Sequence, residues 1–178
     1  RTGATSASVR IFSRASSLPL IGGFLFGLLD KFQVLMPFYP HRDLSAADLK
    51  VRQTYRIIRR GLGKDLIALL NKQALPLITT FFNVAFMAEE HSFRGDIWLV
   101  ICDSDVARAW APLHPKSSRI KYLAPCRRVV ERLKLYGIRD DHIFLTGFPL
   151  PEENLGGSKL QTLKHDLAER LINLDPEH

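Results

Sequence analysis

Between Pro76 and Pro151 the chain alternates strand-like and helix-like segments, and each strand-like run stops at small or polar residues. The three runs are Pro76-Leu77-Ile78-Thr79-Thr80, Asp96 through Ile101 ending in Cys102-Asp103-Ser104-Asp105, and His142-Ile143-Phe144-Leu145 ending in Thr146-Gly147-Phe148-Pro149. Near-continuous apolar runs of this length are what a parallel sheet buries. The return from the first run to the second in about fifteen residues suits a parallel crossover. The expectation is an α/β chain: a three-layer, Rossmann-like parallel sheet with helices on both faces. Such sheets bind ligands beyond the carboxyl ends of their strands, so function is sought just past these runs.

The rest of the sequence divides around this core. Residues 1–75 read as a mainly helical lead-in, 76–151 as the strand-helix core, and 152–178 as a C-terminal amphipathic helix or inter-domain connection. At 178 residues and 46% hydrophobic content, one domain with a substantial core is accommodated and a second complete one is not. Leu18 to Tyr39 reads as one or two helices broken by Pro37 and Pro40. Ser45-Ala46-Ala47-Asp48 opens an amphipathic helix through Val51, Tyr55, Ile58, Leu62, Leu66 and Leu70, with a break near Gly61 and Gly63. Further helices are expected over Asn83–Glu90, Arg127–Tyr136 and Ser158–Leu174, one helical turn over Val106–Trp110, and a short strand over Arg119–Ala124.

A net charge of +7 favours an anionic partner. Arg52, Arg56, Arg59 and Arg60 share one face of the first amphipathic helix with Lys64, which reads either as a solvated face or as a patch for anionic lipid headgroups. Nucleic acid is not expected, because Arg127, Arg128, Arg132 and Lys134 lie on one helix without interleaved aromatics. Cys102, inside a predicted buried strand, and Cys126 have no metal spacing and suggest no disulfide framework, so a reducing compartment and packing roles are expected. The apolar Leu18–Leu29 segment is too short and too rich in Gly to span a membrane, and it lacks the pattern of a signal peptide. The chain begins at Arg1 without Met and is expected to be a piece of a longer product.

The sharpest chemical signal is Asp103-Ser104-Asp105. Two carboxylates at a strand end can hold a hard cation against a phosphate; the competing and favoured reading has Asp105 capping the next helical turn. The first reading defines a metal-dependent single-domain nucleotide-sugar transferase. An aspartyl phosphatase is disfavoured, because the run continues Val106-Ala107-Arg108 instead of Gly-Thr. Glu89-Glu90-His91 lacks the second histidine of a zinc protease, Ser16-Ser17 and Ser117-Ser118 have no glycine elbow, and Gly22-Gly23 and Gly156-Gly157 complete no phosphate loop. Trp98 sits mid-strand and is expected in the core; Trp110, past a strand end, is a candidate for stacking on a ligand.

The order of segments from Thr79 to Pro151 resembles the N-terminal half of two-domain glycosyltransferases of the GT-B type, the group of galactolipid and glucolipid synthases and the peptidoglycan N-acetylglucosaminyltransferase. The resemblance rests on Val100-Ile101-Cys102-Asp103, Trp110-Ala111-Pro112, Ser118 through Pro125, Val129-Val130-Glu131-Arg132-Leu133, Tyr136-Gly137-Ile138 and Ile143 through Leu150, and covers about half of the chain. Phe81 stands where the family often has His, Arg108 stands near another family His, and the Gly-rich loop with His after the family's first strand is not among these residues. The resemblance implies an acceptor-side fragment: transfer of a sugar from a nucleotide donor to a lipid-linked or membrane acceptor, with no obligatory metal. This chain would bind no cofactor, the UDP-sugar donor sitting in a C-terminal domain of the same parent chain. Asp103 would be the catalytic-side carboxylate, Thr80, Asp105, Trp110, Gly147 and Pro149 would contact substrate, and residues 1–75 would carry the acceptor and membrane side. There Arg52, Arg56, Arg59, Arg60 and Leu18–Leu29 would meet an anionic membrane, making the protein cytoplasmic and peripheral. A noncatalytic binding domain of the same fold is the remaining alternative.

Overall fold

The computed structural model describes residues 34–174, and the expectations placed on Ser16-Ser17, Leu18–Leu29 and Gly22-Gly23 lie outside them. The chain divides into two units, residues 1–146 and 147–178. In the first, helices α1 (Leu49–Arg59) and α2 (Lys64–Leu70) precede β1 (Leu77–Thr79), α3 (Phe82–Glu90), β2 (Ile97–Val100), β3 (Lys121–Ala124), α4 (Arg127–Leu135) and β4 (Ile143–Leu145). The four strands form one sheet in the order β1-β2-β3-β4, and every pairing is parallel. This is the Rossmann-like α/β class expected from the apolar runs. One difference lies at the start: Val34–Tyr39 is not helical, since Pro37 and Pro40 each remove a backbone donor.

The helices form where the sequence places their caps and stripes. Asp48 accepts the Val51 N–H at 2.8 Å, capping α1, and Val51, Tyr55 and Ile58 form its buried stripe. The helix stops at Gly61 and restarts as α2 after Gly63, both with positive φ that other residues resist. Phe82, Ala85, Phe86 and Ala88 bury one side of α3, which packs on α1, β1 and β2. Val129, Arg132 and Leu133 do the same for α4, which packs on β3 and β4.

Alternation along the strands divides the sheet into two unlike faces. Ile97, Leu99, Tyr122 and Ala124 are buried in the core with Ile101, Val129 and Leu133, each large apolar side chain contributing about 1.5–3 kcal/mol on burial. The residues of the opposite face are more open: Trp98, Val100 and Leu123 are half-buried, and Ile78 and Phe144 are exposed. Trp98 was expected in the core but lies on the open face of the sheet, its ring against Phe144 at 5.4 Å and under the Lys121 ammonium at 4.8 Å. Cys102 is also displaced from expectation. β2 ends at Val100, so Cys102 falls beyond the strand and is exposed; both cysteines are free thiols.

The second unit holds the short α5 (Glu152–Leu155) and α6 (Gln161–Leu174). The helix begins three residues later than Ser158. Gly156 and Gly157, both with positive φ, serve the turn before it. Leu163, Leu167, Leu171 and Leu174 are exposed along α6.

Candidate functional site

The chain leaves β2 by burying Ile101, whose N–H donates to the Leu123 carbonyl at 3.0 Å. It then exposes Cys102, Asp103 and Ser104 before turning inward at Asp105. Asp105 is held from three directions. Arg132 donates from Nε to Oδ1 at 2.9 Å and from Nη2 to Oδ2 at 2.8 Å, Arg128 donates from Nε to Oδ2 at 3.0 Å, and the Val106 N–H donates to Oδ1 at 2.9 Å. Burial pushes this carboxyl's pKa up, but the bonds from Arg132, Val106 and Arg128 outweigh it and hold it below the ordinary aspartate value. The two guanidinium groups in turn lie over the Phe38 ring at 3.8 Å and 4.9 Å.

Beyond Asp105 the loop is fastened to the core by tyrosines. Tyr136 donates to the Val106 carbonyl at 2.8 Å, and Tyr122 donates to the Trp110 carbonyl at 3.0 Å. Arg108, nearly fully buried, donates to the carbonyls of Ala111 at 2.6 Å, Ser45 at 2.7 Å and Pro112 at 3.1 Å. Its place in the structure is that of a cross-link between the post-strand loop and the segment before α1.

These fastenings shape a small recess of about 230 Å³ lined by Leu35, Asp103, Ser104, Asp105, Ala107 and Trp110. Asp103, Asp105 and Trp110 are thus brought together at the carboxyl end of β2. Asp103 is exposed, and its carboxylate has no ion pair among the described residues. Trp110 contributes a lining edge only: it is 6% exposed and packs on Phe82 at 5.2 Å. Thr80 is exposed just past β1, where the Thr79 hydroxyl accepts the Phe81 N–H at 3.1 Å and turns the chain into α3. Gly147, with φ of +87°, and Pro149 belong to the second unit.

The basic face of α1 borders a separate groove of about 760 Å³, lined by Arg52, Tyr55, Arg56, Arg59 and Arg60 with Ser45–Ala47, Leu113 and His114 opposite. Arg59 is committed to Glu90 at 2.7 Å. The second wall was not legible in the sequence, because Leu113 and His114 reach α1 only through the fold. The Glu89-Glu90-His91 run is structural throughout: Glu89 accepts from the Ser118 hydroxyl at 2.9 Å and the Arg119 N–H at 2.7 Å, and His91 Nε2 contacts the Leu62 carbonyl at 2.9 Å.

No family model, curated protein or solved structure matches the chain. Among the described residues no group of three or more His, Cys, Asp or Glu is placed to hold a metal ion, and no helix is long and apolar enough to cross a membrane.

Proposed function

We propose that this chain is the acceptor-side part of a two-domain glycosyltransferase, which moves a sugar from a UDP-sugar to a lipid-linked or membrane acceptor. The observation that carries this reading is the division of labour between two neighbouring carboxylates at the carboxyl end of β2. Asp103 stands exposed in a recess with Trp110, while Asp105 is consumed by Arg128, Arg132 and the Val106 N–H. A parallel sheet offers ligands this edge, and an unpaired carboxylate there is placed to accept a hydrogen bond from an acceptor hydroxyl. The metal-dependent alternative requires both carboxylates on one cation; freeing Asp105 would leave Arg132, 1% exposed along its side chain, without its counter-charge.

In this reading Thr80 and Trp110 line the acceptor side, and the donor binds in a further domain of the parent chain. The arginines of α1 hold the protein peripherally on an anionic membrane surface, each contributing about 1 kcal/mol near the headgroups. Gly147 and Pro149 are proposed as substrate contacts only on the strength of the sequence resemblance.

The reading is tested with the full-length protein by comparing wild type with Asp103→Ala in transfer of sugar to membrane lipid. A loss of about a hundredfold or more, with an unchanged melting curve, supports the role of Asp103. Unchanged turnover removes Asp103 from the mechanism, and a lack of transfer by the wild type from any UDP-sugar overturns the transferase reading itself.

A further inference from the structure

We infer that the groove between α1 and the Leu113-His114 turn is a phosphate-binding site, with Arg52, Arg56 and Arg60 as the groups that hold the anion. This deepens the membrane part of the reading above and rests on it only where the phosphate belongs to a lipid. Three observations converge on it. The first is the row of charge itself: Arg52 and Arg56 stand one turn apart on α1 and Arg60 caps its end, so three guanidinium groups line one side of the groove and an anion among them relieves their mutual repulsion.

The second is that the nearby carboxylates are already taken. Glu90 pairs with Arg59, Glu89 accepts from Ser118 and Arg119, Asp48 caps α1, and Asp43 accepts the Ser45 N–H at 2.8 Å. No ion pair connects Arg52, Arg56 or Arg60 to any described residue. The third is Tyr55, which lines the groove, is 4% exposed and has its hydroxyl against the Leu113 backbone, so that α1 and the Leu113-His114 turn are held together as the two walls of one groove. Arg59, paired with Glu90 and lying 6.0 Å from the Tyr55 ring centroid, borders the site with its charge already balanced.

Guanidinium forks match phosphate oxygens in geometry, and a phosphomonoester or diphosphate supplies the dianion that several of them call for. The same chemistry is carried by a phospholipid headgroup and by a soluble phosphate. With the acidic groups around it committed, the site stays positive through the physiological pH range.

Calorimetric titration of inorganic pyrophosphate at about 0.15 M salt, where charges beyond about 8 Å are screened, tests the site. The wild type is expected to bind, the Arg52→Gln/Arg56→Gln variant to bind at least tenfold more weakly with an unchanged melting temperature, and Arg127→Gln, an exposed charge on α4, to bind as the wild type does. Flotation with phosphatidylcholine vesicles containing phosphatidic acid then separates the sources. Binding that pyrophosphate displaces assigns the groove to a lipid headgroup, and pyrophosphate binding without vesicle binding assigns it to a soluble phosphate. Equal weakening by Arg127→Gln, or binding of neither probe, overturns the proposal. Neither readout involves sugar transfer, so this proposal and the transferase reading fail independently.

Discussion

Arg132 grips Asp105 with two parallel hydrogen bonds, Nε to Oδ1 at 2.9 Å and Nη2 to Oδ2 at 2.8 Å, and so ties α4 to the loop that follows β2. The Arg132 side chain is 1% exposed and the Asp105 side chain 14%. Removing one member of a buried pair leaves the other uncompensated, which costs about 3–5 kcal/mol. Asp105→Ala is therefore expected to lower stability by about 3 kcal/mol in urea denaturation, toward the lower limit because the Asp105 side chain keeps some contact with solvent. A loss below about 1 kcal/mol would show that the pair is not the fastening it resembles.

The same carboxyl gives the stability an acid dependence. Its folded pKa is held below the ordinary aspartate value of about 3.9 by Arg132, the Val106 N–H and Arg128 against the opposing effect of burial. Its contribution is complete above that value and is lost as pH falls through the folded pKa, because the unfolded chain takes up its proton first. Urea midpoints measured from pH 6 downward are expected to decline more gently for Asp105→Asn than for the wild type. Parallel declines would assign the acid sensitivity to other groups.

Tyr136 provides the alkaline counterpart. Burial pushes its phenol up to about 12, above the ordinary value near 10. A raised pKa for an acid means that the unfolded phenol ionises first, so stability falls as pH rises past about 10. Tyr136→Phe should blunt that fall. At neutral pH it should cost about 1 kcal/mol, by leaving the Val106 carbonyl without its 2.8 Å donor. Denaturation of both proteins at pH 7 and pH 10.5 reads the two effects separately.

Gly137 ends α4 at φ of +83°, and a Cβ added there would stand 3.0 Å from the Ser45 Cβ. Gly137→Ala is expected to cost about 1–2 kcal/mol from the left-handed backbone alone, with further crowding against Ser45. Thermal melts that coincide with the wild type would contradict this account of the helix end.

The fold was legible because the local signals and the tertiary structure agree: apolar runs became β1, β2 and β4, Gly61 and Gly63 separated α1 from α2, and Gly137 ended α4 where expected. Cys102 was misplaced because an apolar run does not reveal where pairing stops, and β2 ends at Val100. The site was only partly legible. Asp103 and Asp105 announced themselves together, but their separation into a free and a bound carboxylate depends on Arg128 and Arg132, more than twenty residues away in sequence. The groove wall at Leu113 and His114 had no local signal at all, since only folding brings that turn to α1.

If this chain is the acceptor side of a sugar transferase, as proposed above, the full-length protein transfers sugar to lipid. The most direct measurement is transfer of radiolabelled sugar from a panel of UDP-sugars to extracted membrane lipid by the full-length protein, with and without manganese. Lipid-soluble label is expected to form without added manganese and to fall about a hundredfold or more in Asp103→Ala. Lipid-soluble label that appears only with manganese, or none from any donor, would contradict the proposal.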